Sequence, residues 1–350
     1  MTAEPSAASS ILIGSVWASE QSPLIAFDPL SGQTRPIMLP ITRCEEFGVH
    51  AICTDGERIF FFDEESDITE PDSRTILLRI YRPSEEKIVL APTLKLPVIR
   101  SDLASIGKEP VTIYGYATVL MGSRTMYMPV PLIERGPVER NSGRHAWFRD
   151  GKVHCLSLDA TRTTFVILSF DPATMKWEEP IAIHGFSNDE AVVIKAIEKN
   201  YVVAECDEVT SLFSLNRESA HAAHVELITK LVSDHRFEVH LSEEGLWIMA
   251  SEGGGDDIRT DIELIRISLP LRTPDDSPLR ASIPAAGRIL PSISSVGHYL
   301  VIFHASSVGG DSPSPYYLFD KRTMTGHMCG VGGRMTAQDI VSLICCLHYP

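Results

Sequence analysis

The chain is poor in basic residues: 31 Lys and Arg stand against 46 Asp and Glu, for a formal net charge of −15. Holding a nucleic-acid backbone takes clustered Lys and Arg, so nucleic acid is not an expected partner. No apolar run approaches the roughly 20 residues of a membrane-crossing helix, and no membrane partner is expected. The opening MTAEPSAASS has neither the basic region nor the apolar core of a secretory leader. None of Asn141, Asn188, Asn200 or Asn216 starts an N-x-S/T sequon. The seven cysteines (Cys44, Cys53, Cys155, Cys206, Cys329, Cys345, Cys346) follow no regular spacing. Several lie in apolar runs, where Cys behaves as a small hydrophobe. Together these features point to a reducing compartment, the cytoplasm or the nucleus.

Catalytic and ligand signatures are equally scarce. There is no G-x-S-x-G and no phosphate-binding P-loop. Ser105–Lys108 reads S-x-x-K, a match expected by chance. Cys329–Met335 (CGVGGRM) has Met335 where a dinucleotide loop needs its third Gly, and no βαβ context. His221 and His224, with His235, Glu238 and His240 nearby, fit no zinc spacing and read as solvated residues of an outer strand. Glu252–Asp261 (EGGGDDIRTD) lacks the offsets of a calcium loop and reads as a connection between strands. Cys345-Cys346 lie in a strand-like run, which favours burial over redox chemistry. Cys346 is one place off a prenylation box. The expectation is therefore no catalytic residue, no cofactor and no metal ligand, with the partner-binding residues unknown.

What the chain does have is a repeated extended unit. In His145–Ile183, Asp150-Gly151 is a two-residue hairpin signal, because such turns need positive φ. VHCLSL and then TFVILSF follow as strands, the second apolar enough to be buried on both faces. Asp171-Pro172 then turns the chain into a fourth strand at Trp177. The pattern recurs at Pro23–Pro40, Thr75–Pro92, Val209–Ile228, Ile262–Pro274 and Ser314–Val331. The upstream hairpin recurs at His50–Asp63, Val192–Glu205, Phe237–Ser251 and Ile293–Ser306, with turns placed at Lys199-Asn200, Glu244-Gly245 and Gly297. The anchors Phe27, Tyr81, Phe170, Leu215, Ile267 and Phe319 stand roughly 45 to 54 residues apart, save one gap near 90.

Four strands in each unit of roughly 40 to 50 residues is the sequence sign of a β-propeller. The fold expected is all-β: a propeller of about six, possibly seven, four-stranded blades. Residues 1–10 form a disordered tail and 11–350 a single domain. The wide gap, residues 93–144, is either an extra blade or an insertion; within it Thr112–Ile133 reads as two strands around Gly122-Ser123. The first unit supplies only three strands. Ile340–Leu347 is expected to pair with it as the innermost strand, so that the two termini close the ring in one blade and remove an exposed sheet edge. An irregular β-sandwich is the competing architecture.

The units resemble kelch-type and F-box-associated propeller repeats. Phe170 and Trp177 match the aromatic-x6-Trp spacing of the first, and AFDPLSGQTRPIMLP, ending in Leu39-Pro40, resembles the second. The paired glycines of a kelch repeat are absent near Leu156-Ser157, and no F-box precedes the repeats. The resemblance implies a protein-interaction scaffold. The function expected is a non-enzymatic scaffold or substrate-recognition propeller, monomeric, binding a protein partner through loops of one face or the central channel. A hydrolase or lyase acting at the channel, or a carbohydrate-binding propeller, is the alternative. Trp17, Trp147, Trp177 and Trp247 are expected to pack between blades.

Overall fold

The computed structural model describes residues 10–15, 24–37, 49–66, 74–98, 114–121, 124–131, 140–141, 145–186, 191–206, 209–232, 236–242, 245–251, 262–269, 279–283, 292–303, 315–330 and 343–349. Among these residues every regular element is a strand, and the fold is all-β.

The strands form successive antiparallel meanders. The first holds β1 (Ser10–Ser15), β2 (Leu24–Asp28) and β3 (Gln33–Ile37). The second holds β4 (Val49–Thr54), β5 (Ile59–Ser66), β6 (Arg74–Arg82) and β7 (Lys87–Leu90), with β8 (Leu94–Lys95) also on β6. β9 (Tyr114–Met121) and β10 (Arg124–Pro131) make a two-stranded sheet of their own, followed by the short β11 (Arg140–Asn141). The third meander runs through β12 (Ala146–Arg149), β13 (Lys152–Leu158), β14 (Phe165–Asp171) and a fourth strand split into β15 (Lys176–Trp177) and β16 (Ile181–His184). The fourth is β17 (Val192–Glu198), β18 (Tyr201–Cys206), β19 (Val209–Arg217) and β20 (Ala222–Val232). The fifth is β21 (Arg236–Ser242), β22 (Gly245–Ser251), β23 (Ile262–Ser268) and β24 (Leu279–Ile283). The sixth is β25 (Ser292–Val296), β26 (Tyr299–Phe303), β27 (Pro315–Asp320) and β28 (Thr325–Gly330). Finally β29 (Leu343–Tyr349) pairs antiparallel with β1, Leu347 opposite Leu12, so the first sheet reads β29-β1-β2-β3.

Turn chemistry explains the repetition. Asp150 and Gly151 have φ of 51° and 75°, the twist a two-residue hairpin needs, and Arg149 faces Lys152 across it. Four of the turns between third and fourth strands share one form. They run from Asp28 to Gln33, Arg82 to Lys87, Asp171 to Lys176 and Asp320 to Thr325. The residue before the last is left-handed in each: Gly32 at 71°, Glu86 at 51°, Met175 at 56° and Met324 at 57°. In three of them the opening Asp caps the turn. The Leu30, Ala173 and Arg322 amides donate to the carboxylates of Asp28, Asp171 and Asp320 at 3.0, 2.8 and 2.8 Å. Hydroxyl donation from Thr174, with the Ala173 amide bond, holds the Asp171 carboxyl below its usual range.

The six anchors occupy the third strand of their meanders. Phe27 faces Ile11, Tyr81 faces Ile59, Phe170 faces Val153, Ile267 faces Leu246 and Phe319 faces Leu300; the Leu215 amide donates to the Asn200 carbonyl at 2.6 Å. Five are buried and Ile267 is half-buried. Along β14, Phe165 to Phe170 are buried without a break, because neighbouring meanders cover both faces.

Each meander packs on the next. One apolar cluster joins the second and third through Phe60, Phe62, Leu78, Val153, Leu168 and Phe170. Another joins the third and fourth through Leu156, Phe165, Ile194 and Val202. Val203, Leu212, Leu246 and Ile248 join the fourth and fifth. Trp247, Leu264, Leu300 and Phe319 join the fifth and sixth. The Phe27 ring meets Tyr316 edge-on at 5.0 Å, and the Tyr316 hydroxyl donates to the Pro29 carbonyl at 2.7 Å, which ties the sixth to the first. The first strands also touch in order: β29 with β4, β4 with β12, β17 with β21, β21 with β25, and β25 with β29. The third and fourth meanders are further fused, because β16 runs parallel to β20, and the short β11 runs parallel to β17 on the fourth meander's other edge. Beyond that junction β20 carries bulges at Ile228 and Leu231, which spoil its edge as a template for another strand.

Three expectations shift in detail. Gly245 does not sit in a turn but opens β22, paired with Ser242. Ser10 belongs to β1 rather than to a tail, and residues 1–9 lie outside the described residues. The strands expected within Thr112–Ile133 are present as β9 and β10, and among the described residues they pair only with each other.

Candidate functional site

Three groups of enclosed polar atoms are candidates for a site. The first is a seam between the second and third meanders. Arg74, 5% exposed, forms an ion pair with Glu64 and donates to the Asp159 carbonyl at 2.7 Å. Ser157 Oγ lies 3.5 Å from the other Glu64 oxygen. Asp159 itself is fully enclosed: its carboxylate accepts from the Thr163 and Thr164 amides at 2.8 and 2.9 Å and from the Thr161 hydroxyl at 2.5 Å. Burial also pushes the nearby Cys155 thiol far up, with the Glu64 charge adding to it, so Cys155 is inert. The Arg74 bond to the Asp159 carbonyl and the Ser157–Glu64 contact fasten the two meanders, while the Asp159 carboxylate caps its own turn.

The second place is a row across the third meander. Trp147, His154 and Ser169 stand opposite one another on β12, β13 and β14. The Trp147 ring stacks on the imidazole at 5.4 Å, and His154 Nδ1 lies 2.9 Å from Ser169 Oγ. Burial lowers the His154 pKa, against a hydrogen bond to the Arg149 backbone that raises it. A neutral imidazole beside a hydroxyl is the pairing a nucleophile needs. Ser169 is only 2% exposed, however, and sits mid-strand facing the fourth meander. As built, the pair is an internal cross-strand hydrogen bond.

The third place repeats that row two meanders on. His240, Trp247 and Arg266 stand opposite one another on β21, β22 and β23, one residue from the anchor pair just as His154 and Ser169 are. Trp247 is fully buried, with Phe319 edge-on at 5.9 Å and the Arg266 guanidinium 5.4 Å over its ring.

The residues singled out in the sequence are dispersed. His221 sits at the turn into β20, 3.4 Å from Glu179, and His224 is exposed on β20. His240 is on β21, and His235 lies outside the described residues. No group of three or more metal-binding side chains occurs among the described residues. Cys329 is on β28 and Cys345-Cys346 are in β29; Glu252–Asp261, Ser105–Lys108 and Trp17 lie outside the described residues. Trp177 packs between the second and third meanders against Phe62 and Phe170, and its indole N–H donates to the Pro92 carbonyl at 2.5 Å. The bond from Arg74 to the Asp159 carbonyl was invisible in the sequence, since the two residues lie 85 apart, and Glu64 meets Arg74 only once β5 and β6 are paired. The one local signal was DATRTT, an Asp followed by hydroxyl residues that could cap it.

No protein-family profile matches this chain, and no curated protein does. Among solved structures, the chain is similar to a candidate 6-phosphogluconolactonase from Bacteroides fragilis, with 11% identity over 100% of both chains and a TM-score of 0.47. It is also similar to apo AztD from Citrobacter koseri, with 9% identity over 97% of both chains and a TM-score of 0.40. A prolyl endopeptidase aligns over 91% of this chain and 48% of its own length, with 11% identity and a TM-score of 0.42. These scores are too low to carry an argument, and the architecture rests on the chain's own strand pairing.

Proposed function

We propose that the chain is a six-bladed β-propeller that works as a non-enzymatic scaffold, binding a protein partner at one end of its ring. Three facts support the ring: the cyclic order in which the meanders pack, the contacts of their first strands, and the pairing of β29 with β1. In this reading β9 and β10 belong to an insertion between the second and third blades. The likeness of His145–Ile183 to kelch-type and F-box-associated repeats belongs to the same reading.

The observation that carries the binding role is a difference between the two ends. In an antiparallel meander, connections from first to second and third to fourth strands leave one end, and all others leave the opposite end. The first kind are mostly tight, as at 55–58, 150–151, 199–200, 29–32, 83–86, 172–175 and 321–324. The second kind include 38–48, 67–73, 185–191, 252–261, 284–291, 304–314, 331–342 and the whole of 96–145. Long connections on a rigid scaffold are where contacts with partners are usually placed.

Charge sets five connections of the second kind apart from the rest. Those at 67–73, 185–191, 207–208, 233–235 and 252–261 hold twelve Asp and Glu against the single Arg259. The other connections of that kind are balanced, with ten acidic and ten basic residues, and those of the first kind hold ten acidic against five basic. The partner these five connections suit presents Lys and Arg, because complementary potentials steer encounter and set orientation.

Affinity capture tests the reading. The full chain, immobilised, should retain a protein partner whose binding weakens as salt rises from about 50 to 300 mM, the range over which screening becomes strong. Replacing Asp67, Glu70, Asp72, Asp256, Asp257 and Asp261 by their amides should abolish retention, while Glu85→Gln with Glu86→Gln at the opposite end should not. Equal loss from both variants, or turnover of a substrate by the purified chain, would overturn it.

A further inference from the structure

We draw no further inference here: the strongest candidate, the Trp247–Arg266 pair on the face of the fifth meander turned toward the sixth, leaves the Trp247 Nε1 and Arg266 Nε groups without acceptors, but both nitrogens are wholly enclosed and Phe319 lies against the indole, so nothing in the structure shows space for a ligand beside them.

Discussion

Arg74→Met is the sharpest probe of how neighbouring meanders are held together. Methionine keeps most of the length of the arginine stem, so the change removes the guanidinium and little packing. It leaves Glu64, on the adjacent strand of the same meander and with its side chain 14% exposed, as a charge with no counter-ion. It also takes away the bond to the Asp159 carbonyl at 2.7 Å, which links the start of β6 to the end of β13. Breaking a buried ion pair from one side costs about 3–5 kcal/mol, because the remaining charge stays desolvated. Glu64 retains some contact with water, so about 3 kcal/mol is expected. The assay is urea unfolding, with the midpoint falling and the slope unchanged. The second arm is Arg74→Met with Glu64→Gln. Removing the stranded charge should restore about 1–2 kcal/mol of that loss. A single-variant loss below about 1 kcal/mol, or a double variant that is simply additive, would refute the reasoning.

Burial holds His154 below its usual value of 6.5, so the unfolded chain binds the extra proton first as pH falls. Stability should therefore decline as pH drops from about 6.5 and level off once the lowered folded pKa is passed; His154→Gln should flatten that part of the profile, and parallel wild-type and variant curves of urea midpoint against pH would contradict this. Glu86→Gly should raise stability by about 0.5–1 kcal/mol, since Glu86 is exposed and holds a positive φ that glycine adopts without strain; a fall in melting temperature would contradict this. Gly185→Ala should cost about 2 kcal/mol or more in urea unfolding, because a Cβ would stand 2.5 Å from the Val225 carbonyl oxygen at a φ of +104°. Trp177→Phe keeps the ring but loses the bond to the Pro92 carbonyl, and should cost about 1 kcal/mol by the same assay.

Local chemistry made much of the fold legible. Asp150-Gly151 could be read as a hairpin because positive φ at two successive residues is a demand that few residue types meet. The Asp-Pro turns at Asp28 and Asp171 marked the third-to-fourth-strand corner, since capping acts over two or three residues. At Arg82 and Asp320 the same backbone form is reached with Glu86 and Met324 left-handed, where nothing in the sequence singles those residues out. The split of the fourth strand into β15 and β16, and the parallel fusion of β16 with β20, depend on where one meander lands against another. No local pattern encodes that. The polar constellations were hidden for the same reason. His154 and Ser169 are 15 residues apart and Arg74 and Asp159 are 85, so each pair exists only once the sheets are paired and packed. The row His240, Trp247, Arg266 could have been found by aligning the units on their anchors, because it stands at the register of Trp147, His154 and Ser169.

The account turns on the proposed ring of six meanders, in which the pairing of β29 with β1 is the closing contact. Deleting Asp339–Pro350 from the full chain tests it most directly. The deletion exposes the edge of β1 and removes the first strand that touches both β4 and β25. The account predicts an aggregating product, or one whose melting temperature falls by about 10 °C or more, as loss of several kcal/mol implies for a chain of this size. A soluble truncated chain that melts within a few degrees of the full one would contradict it.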